Sequence, residues 1–432
     1  MSKEMTTLDT SGNPGRYIWF TTLYNARAYY PVLAVLFLDL GLTLDQYVML
    51  NMVWAASIFL FEVPSGALAD TIGRKTLLVS SAVLMIMELS CLLFAPRNGG
   101  WLLIALCVAN RALSGLSEAA ASGADEALAY DSLPEENRDE AWDGVLSKAM
   151  RFRSVGFVLA MVIGGLMYDP SIVNRILPDG MELTTELAHR LPIAMVLCQG
   201  FICLFITLRM VEPKPVLHES VWKACRKAIA LTMDTARWVF TNPNTLVFVV
   251  TGLAIDSVVR NYATISSSYY RLIDLPEWSF GFIGAGIGLA GYLVPAIASR
   301  LNKRYSTLAN LALIAGLSVI GLTGLIPANS YWCLLPAMLL MMTMGYLGFT
   351  LSRALNKEAD SSRRATVLSV KGLAFNLGYG SFSLAFSLLL ASFAGGKGDE
   401  AFRHALAWQV PFYSITVFCL LLWGRKRLAM AE

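Results

Sequence analysis

Charge and histidine are scarce in this sequence. Only 15% of its 432 residues are charged and only 3 are histidines, whereas roughly 25% of the residues of a soluble domain are charged. Polar side chains are therefore too few to cover a water-facing globule. The net charge of +3 is also too small to indicate a nucleic-acid partner.

Metal-binding and redox patterns are missing as well. The 7 cysteines show no CxxC spacing and fall almost wholly in apolar stretches, so neither a disulfide framework nor a zinc site is predicted. No phosphate-cradling glycine loop or acyltransferase His/Asp pair occurs, so we expect no cofactor, no metal and no enzyme activity. The first 15 residues are polar, so we expect no removable signal peptide.

Long apolar blocks are what the sequence does contain. At 1.5 Å per residue, about 20 apolar residues cross a ~30 Å hydrocarbon core. The sequence predicts an all-α membrane protein with twelve transmembrane helices, at 17–40, 45–69, 76–95, 101–129, 145–168, 191–209, 244–270, 280–299, 306–326, 331–355, 366–392 and 403–424.

Lys and Arg residues are distributed unevenly between the two sides of these spans. Most of them fall on the side that holds both ends of the chain. By the positive-inside rule both termini are predicted to be cytoplasmic in a multi-pass cell-membrane protein, most simply a bacterial inner-membrane one.

The chain divides into two halves of six spans. We predict an N-terminal bundle at 1–210, a cytoplasmic linker at 211–243 and a C-terminal bundle at 244–432. Within the linker, apolar residues recur at helical spacing among basic ones, which predicts an amphipathic helix on the lipid surface. Val145-Leu146-Ser147 and Val367-Leu368-Ser369 open equivalent spans in the two halves, as expected of a pseudo-symmetric repeat with a solute site between its halves.

The segment after the second span carries the sharpest motif. Gly66-Ala-Leu-Ala-Asp70-Thr-Ile-Gly73-Arg74-Lys75 resembles the signature of the major facilitator superfamily at the same topological position. The resemblance implies a monomeric secondary transporter that works by alternating access. It also implies that Gly66, Asp70, Gly73, Arg74 and Lys75 latch the halves on the cytoplasmic side, Asp70 meeting the start of the eleventh span. The alternative, an ordinary basic cytoplasmic loop, would explain Arg74 and Lys75 but not the glycine and aspartate spacing.

Ionisable residues at bilayer depth are the candidate solute and proton sites, because each costs at least ~2.5 kcal/mol on insertion scales. Glu62 and Glu118 are the leading proton sites. Arg111 begins an R-x-x-x-G-x-x-x-A pattern that resembles proton-coupled members, although it could instead neutralise Glu118 or Glu88. The full set predicted to line the pathway is Arg27, Glu62, Arg111, Glu118, Asp256, Arg260, Lys371 and Asn376.

Two further features concern gating. Asp256 and Arg260 are four residues apart and can form a bridge within one helix. Acidic residues near the end of the fourth span are predicted to face basic residues of the fifth as gating ion pairs, the members being Asp125, Glu126, Asp131, Arg151 and Arg153.

Taken together, the residues predict a proton-coupled transporter of a small organic solute. The central arginines favour an anionic or zwitterionic one. Efflux is favoured, although the fifth span has Gly164-Gly165 without the proline usual in antiporters of this family. An uptake permease for a nutrient or siderophore and a lipid flippase remain alternatives. The expected partners are the solute, protons and membrane lipids.

Overall fold

Helices account for almost all regular structure in the computed structural model. The described residues are 10–178, 180–213, 220–359, 364–393 and 398–429, without the side chains of Asp70, Arg364 and Ala365. The first half contains α1 (Asn13–Asn25), α2 (Leu33–Leu40), α3 (Leu44–Ile72), α4 (Arg74–Leu93), α5 (Gly100–Ala121), α6 (Ala124–Asp131), α7 (Arg138–Tyr168), α8 (Pro170–Ile176) and α9 (Thr185–Leu208).

The connection and the second half follow the same plan. Their helices are α10 (Val221–Thr241), α11 (Pro243–Leu272), α12 (Trp278–Gly291), α13 (Val294–Arg304), α14 (Thr307–Leu325), α15 (Leu334–Glu358), α16 (Arg364–Ser392) and α17 (Gly398–Ala429).

Eleven stretches within the described ranges are long and apolar enough to span a bilayer. The predicted first span is absent from this set because it is broken. α1 ends at Asn25, a single 3₁₀ turn covers Tyr30–Val32, and α2 starts at Leu33, so neither piece has the length of a continuous span. Counting α1 and α2 together as span 1 restores the predicted number of twelve.

Span 2 is α3, span 3 is α4, span 4 is α5 together with α6, span 5 is α7 and span 6 is α9. Span 7 is α11, span 8 is α12 together with α13, and spans 9 to 12 are α14, α15, α16 and α17.

Local capping sets the starts of several spans. Thr43 and Gln46 form a capping box at α3, and the Asn242 side chain accepts from the Thr245 amide at α11. Span 7 is 67% buried over its most apolar window, which places it at the centre of the molecule.

The two six-helix bundles meet along three pairs of helices. Span 2 packs on span 11, span 5 on span 8, and α2 of span 1 on span 7. We call the side with the first and last described residues the terminal side, and the opposite side, with Asp39 and Arg271, the distal side.

Polar contacts between the halves are confined to the distal part of the described chain. The Tyr47 hydroxyl donates to the Thr264 carbonyl at 2.9 Å, and the Ser387 hydroxyl to the Asp45 carbonyl at 2.9 Å. Toward the terminal side, Glu118 is exposed one helical turn beyond Ser114, which faces the interior between the halves. The distal side is therefore closed, and the interior opens toward the terminal side.

Candidate functional site

A central cavity of about 340 Å³ lies between the halves. Aromatic and small polar side chains from both halves surround it together with two arginines, the lining including Tyr29, Tyr30, Asn51, Trp54, Arg111, Ser114, Phe157, Arg260, Thr264, Ser266, Tyr270, Phe280 and Tyr379. Its size suits a small organic molecule.

The break in span 1 forms one wall of this cavity. At the break Arg27 turns back, and its Nε donates at 3.1 Å to the carbonyl of Tyr24 that the ended helix leaves free. The restarted helix α2 has free amides at its own start, and those of Ala34 and Val35 donate to the Ser267 hydroxyl of span 7 at 3.0 and 3.3 Å. The irregular backbone is satisfied by protein and faces a cavity, the setting in which it is tolerated at membrane depth.

Close packing holds the break in place. A Cβ on Gly164 of span 5 would lie 1.6 Å from the Ala28 carbonyl oxygen, so only glycine fits there. Of the two adjacent glycines in the fifth span that lack a neighbouring proline, Gly164 supports the broken first span, whereas Gly165 packs against the backbone of Gly281 in span 8.

Arg27 has a different environment from the one predicted for a pathway residue. Its guanidinium forms an ion pair with Glu88 of span 3 and donates to the Tyr29 hydroxyl at 3.0 Å. Arg27 is 5% exposed and Glu88 is fully buried. In this conformation the pair neutralises two buried charges and anchors the break, because separating them would leave an uncompensated ion in the bilayer.

Because Arg27 occupies Glu88, Arg111 lies at the cavity without that carboxylate as a partner. Of the acidic side chains that the structure describes, none forms an ion pair with it, and neither its Nε nor its Nη2 has a hydrogen-bond partner there. Its guanidinium instead lies over the rings of Phe37 and Tyr47, 4.7 and 5.8 Å from their centroids. Glu88, a predicted alternative partner, is held by Arg27.

Arg260 faces the same cavity from span 7. Its Nη2 lies 2.7 Å from the Asp256 carboxylate, as the i, i+4 spacing predicts, and Nη1 donates at 2.9 Å to Asn376 Oδ1 of span 11. The guanidinium also lies over the Tyr379 ring at 5.5 Å. The structure thus brings together Asp256, Arg260 and Asn376 in a cluster whose charges cancel. Arg111 has no such counter-ion among the described side chains.

The remaining predicted pathway residues lie nearer the terminal side. Glu62 of span 2 faces span 11, its Oε1 3.8 Å from the position of a Cβ on Gly372, and its buried Oε2 has no partner in the described chain. Glu118 is exposed toward the open side. Lys371, next to Gly372, holds its ammonium 5.6 Å from the Phe375 ring centroid.

The motif after span 2 makes contacts within the first half and with Glu212 at the start of the linker. Gly73 has a φ of +94°, which explains the glycine between two helices. Arg74 pairs with Asp131 and donates to the Ala127 carbonyl at 2.9 Å. Glu212 accepts from the Lys75 amide at 2.8 Å and thereby caps α4. Gly66 is exposed, and the side chain of Asp70, on which the predicted latch depends, lies outside the described residues.

The predicted gating ion pairs between spans 4 and 5 are not among the ion pairs found between described residues in this conformation. Span 4 bends after Ala121 and continues as α6, which packs on span 3 and α1. Asp131 consequently binds Arg74. The ion pairs found within the described ranges include none from Asp125 or Glu126 to Arg151 or Arg153, which are both exposed.

A polar cluster that no sequence motif predicts closes the distal side. Arg271 of span 7 binds Asp39 of α2 through two hydrogen bonds of 2.8 Å and also pairs with Glu277. The Tyr168 hydroxyl donates to Asp39 at 2.5 Å, and His189 stacks on Tyr168 with its Nδ1 3.4 Å from Asp39. We call these five residues the distal latch.

Glu277 of the distal latch lies in the connection between spans 7 and 8. Burial raises the pKa of its carboxyl group, while the guanidinium of Arg271 partly opposes the shift. The available sequence signal was weak: Asp39 is a single acid at the end of an apolar block, 232 residues from Arg271.

Comparison with known proteins identifies the fold and the family. The family model described as Major Facilitator Superfamily matches residues 18–380. The chain belongs to this superfamily. It is a secondary transporter, not an enzyme, built as two pseudo-symmetric six-helix bundles.

Relatives and solved structures agree with this assignment. The quinolone resistance protein NorA of Staphylococcus aureus is 24% identical over 75% of this chain and 74% of its own length. A variant of the nucleoside transporter NupG shares the fold with a TM-score of 0.76, 11% identity and coverage of 97% and 99% of the two chains. A bacterial homologue of the lysosomal transporter Spinster, inward-facing and unoccupied, gives a TM-score of 0.71, 14% identity and coverage of 99% of both.

Proposed function

We propose that the protein exports a small aromatic organic anion in exchange for protons. The observation that carries this proposal is the buried Arg111 guanidinium at the central cavity, which has no acidic partner among the described side chains. A cation at bilayer depth needs a counter-ion, and a substrate carboxylate in the cavity supplies one.

The rest of the cavity favours an aromatic body on that anion. Trp54, Phe157 and Tyr379 line it together with further tyrosines, and Asn51 and Ser114 offer hydrogen bonds near Arg111. Planar rings stack favourably on such side chains. Arg260 is already neutralised by Asp256, so it adds a directional donor with little net charge.

The direction of transport rests on two arguments. By the positive-inside rule we expect the terminal side, toward which the cavity opens, to face the cytoplasm together with both termini. An inward-facing state with an accessible anion site is the loading state of an exporter. The similarity to a protein named for quinolone resistance favours the same direction, because exporting a toxic compound confers resistance.

Coupling to protons is assigned to Glu62 and Glu118. Glu62 has one buried carboxylate oxygen without a described partner, and Glu118 lies on the span that carries Arg111. Protonation of these groups from the distal side and release on the terminal side would complete an antiport cycle.

The moving bodies in this cycle are the predicted bundles at 1–210 and 244–432, with 211–243 as linker. They rock about the central site in a monomer. In the opposite state Asp70 and its motif close the terminal side, and Asp125, Glu126 and Asp131 approach Arg151 and Arg153. The basic and apolar residues of α10 contact the lipid surface throughout.

Reconstituted vesicles with an imposed pH gradient test the proposal. A fluorescent quinolone should accumulate when the lumen is acid, because protons leaving through the carrier drive solute inward, and a protonophore should abolish it. Glu62→Gln and Glu118→Gln should each stop this accumulation while solute-for-solute exchange continues. Accumulation in both variants at the wild-type level would show that the proton sites are misassigned.

An uptake permease is the second candidate, favoured by the absence of a proline beside Gly164-Gly165. It predicts the opposite dependence. Accumulation only when the outside is acid would mean symport and would overturn export by exchange.

A further inference from the structure

A second cavity of about 530 Å³ lies in the C-terminal bundle, away from the central site. It occupies a cleft where spans 11 and 12 separate over span 7, with a lining of Leu253, Ala254, Ser257, Val258, Gly378, Ser381, Phe382, Ala385, Phe386, Leu389, Gln409, Phe412, Tyr413 and Thr416. Ser381, Ala385 and Phe412 are exposed at its mouth. The cleft therefore opens on the outer surface of the bundle, toward lipid.

The packed helices of spans 7 and 11 separate this cleft from the central cavity. Span 11 packs on span 7 through Gly378, where a Cβ would lie 2.7 Å from Leu253 and 3.0 Å from the Ser257 hydroxyl. Tyr379 and Arg260 face the central cavity from the other side of the same two helices. The two cavities thus lie on opposite sides of spans 7 and 11.

Gln409 is the carboxamide of the cleft lining, whose other polar groups are the hydroxyls of Ser257, Ser381, Tyr413 and Thr416. It is 4% exposed, and neither its Nε2 nor its Oε1 has a partner in the described part of the chain. α17 has 32 residues, and Gln409 is eleven positions after its first residue. That places the amide about 7 Å from the helix midpoint, well inside a ~30 Å hydrocarbon core, where an unpaired amide is costly.

The chemistry of the cleft defines its occupant. The lining contains no ionisable acid or base other than the phenol of Tyr413, so a charged ligand has no counter-ion there. A carboxamide side chain is both donor and acceptor, and a single group that satisfies both is an amide or a hydroxyl. The ester groups of a phospholipid offer only acceptors and lie at the membrane interface, too shallow to reach Gln409.

We propose that this cleft binds a neutral lipophilic amide or alcohol from the bilayer, with the polar group paired to Gln409 and the apolar body against Phe382, Phe386 and Phe412. The stacked pair of Phe382 and Phe386, with ring centroids 6.3 Å apart, provides a flat apolar surface for that body.

Photolabelling of the full-length protein in lipid nanodiscs tests the proposal. The probe is a medium-chain primary amide with a diazirine on its chain, compared with the methyl ester of the same chain, which lacks the donor. Mass spectrometry should place amide-probe adducts on spans 7, 11 and 12, at about tenfold lower probe concentration than the ester requires, since a membrane hydrogen bond contributes about 1–2 kcal/mol in model peptides.

Three variants make the result decisive. Gln409→Leu should remove the preference for the amide, whereas Gln199→Leu, which changes a span 6 glutamine whose Oε1 is also unpartnered, should leave it intact. Ala385→Trp should fill the cleft and block both probes. Both substitutions at the cleft keep or add apolar volume, and melting temperatures check that each variant is folded.

Specific outcomes would overturn the proposal. Equal labelling by amide and ester in the wild type, or an unchanged amide preference in Gln409→Leu, would mean that Gln409 does not select the ligand. A change in oligomeric mass on Gln409→Leu without a change in labelling would assign the cleft to a second copy of the chain instead.

Discussion

The two ends of the bundle differ in how the halves are joined. At the distal end Arg271 bridges to Asp39, the amides of α2 donate to Ser267, and the backbone of span 5 at Gly165 lies against that of span 8 at Gly281. Among the described residues, no hydrogen bond or ion pair joins the halves at the terminal end. The comparison shows which contacts a transport cycle must break, because opening the distal end means exchanging all of them.

The distal contacts are also of two kinds. Gly164 and Ala28 belong to the first half and fix the shape of the broken span, whereas Arg271 and Asp39 join different halves. We expect the Gly164–Ala28 contact to persist through the transport cycle and the Arg271–Asp39 ion pair to break when the distal side opens. Arg271 is 36% exposed, so its ion pairs are partly screened and suited to repeated opening.

The largest expected effect comes from filling the contact under the break. Gly164→Val should destabilise the protein by about 4 kcal/mol or more, since the new Cβ would overlap the Ala28 carbonyl oxygen. The measurement is the yield of monodisperse protein and its melting temperature. Gly286→Ala in span 8, where nothing lies within 4 Å, is the matched control and should behave as wild type.

The next effect distinguishes the two buried arginines of the first half. Arg27→Gln should cost about 3–5 kcal/mol because it leaves Glu88 charged and buried without its partner. Arg111→Gln should leave the melting temperature unchanged or raise it, since it removes an unpaired charge.

A double variant checks this explanation. Arg27→Gln combined with Glu88→Gln should recover much of the lost stability. Equal melting temperatures for Arg27→Gln and Arg111→Gln would contradict the structural role of the first and the unpaired state of the second.

Opening the distal latch should have a moderate effect on the conformational equilibrium. Arg271→Asp should weaken the closed state by about 1–2 kcal/mol, equivalent to roughly tenfold in population. A thiol at position 266, introduced as Ser266→Cys in the central cavity, should then react faster with an impermeant reagent from the distal side. Adding Asp39→Arg restores opposite charges and should slow the reaction again, and its failure to do so would remove the pair from the gate.

The smallest expected effect is a pH dependence of the same latch. Burial raises the pKa of Glu277 in the closed state, so a proton binds more tightly there than in an open, hydrated state. Acidification should therefore favour closure, and the contribution should disappear as pH rises above the closed-state pKa. Arg271, Asp39 and Asp169 act on this carboxyl, and His189 Nε2 lies 3.9 Å from it. The difference in opening between wild type and Glu277→Gln isolates its share, and a difference that does not vary with pH would contradict it.

Much of the fold was predictable because it depends on local sequence. The apolar blocks and the Gly66–Lys75 motif predicted twelve spans in two bundles and the superfamily, and these are confirmed. The break in span 1 was not predicted, because Pro31 alone does not interrupt a span. Gly164 and Ser267, both remote in sequence, make the interruption stable.

The pairing of charges was the part that sequence could not resolve. The i, i+4 contact of Asp256 and Arg260 followed from helix geometry. Arg27 and Glu88 are 61 residues apart, and only the packing of spans 1 and 3 brings them together. That packing leaves Arg111 without an acidic partner among the described side chains. The transport roles of the predicted site residues remain predictions.

The most direct test of the account measures ligand selectivity at Arg111. Trp54 lines the central cavity, so its fluorescence can report the binding of an aromatic carboxylate and of the corresponding carboxamide to the purified protein. Wild type should bind the carboxylate at least about tenfold more tightly, as a charge-assisted hydrogen bond requires, and Arg111→Gln should bind both alike. An undiminished preference for the carboxylate in Arg111→Gln would contradict the assignment of Arg111 as the anion site.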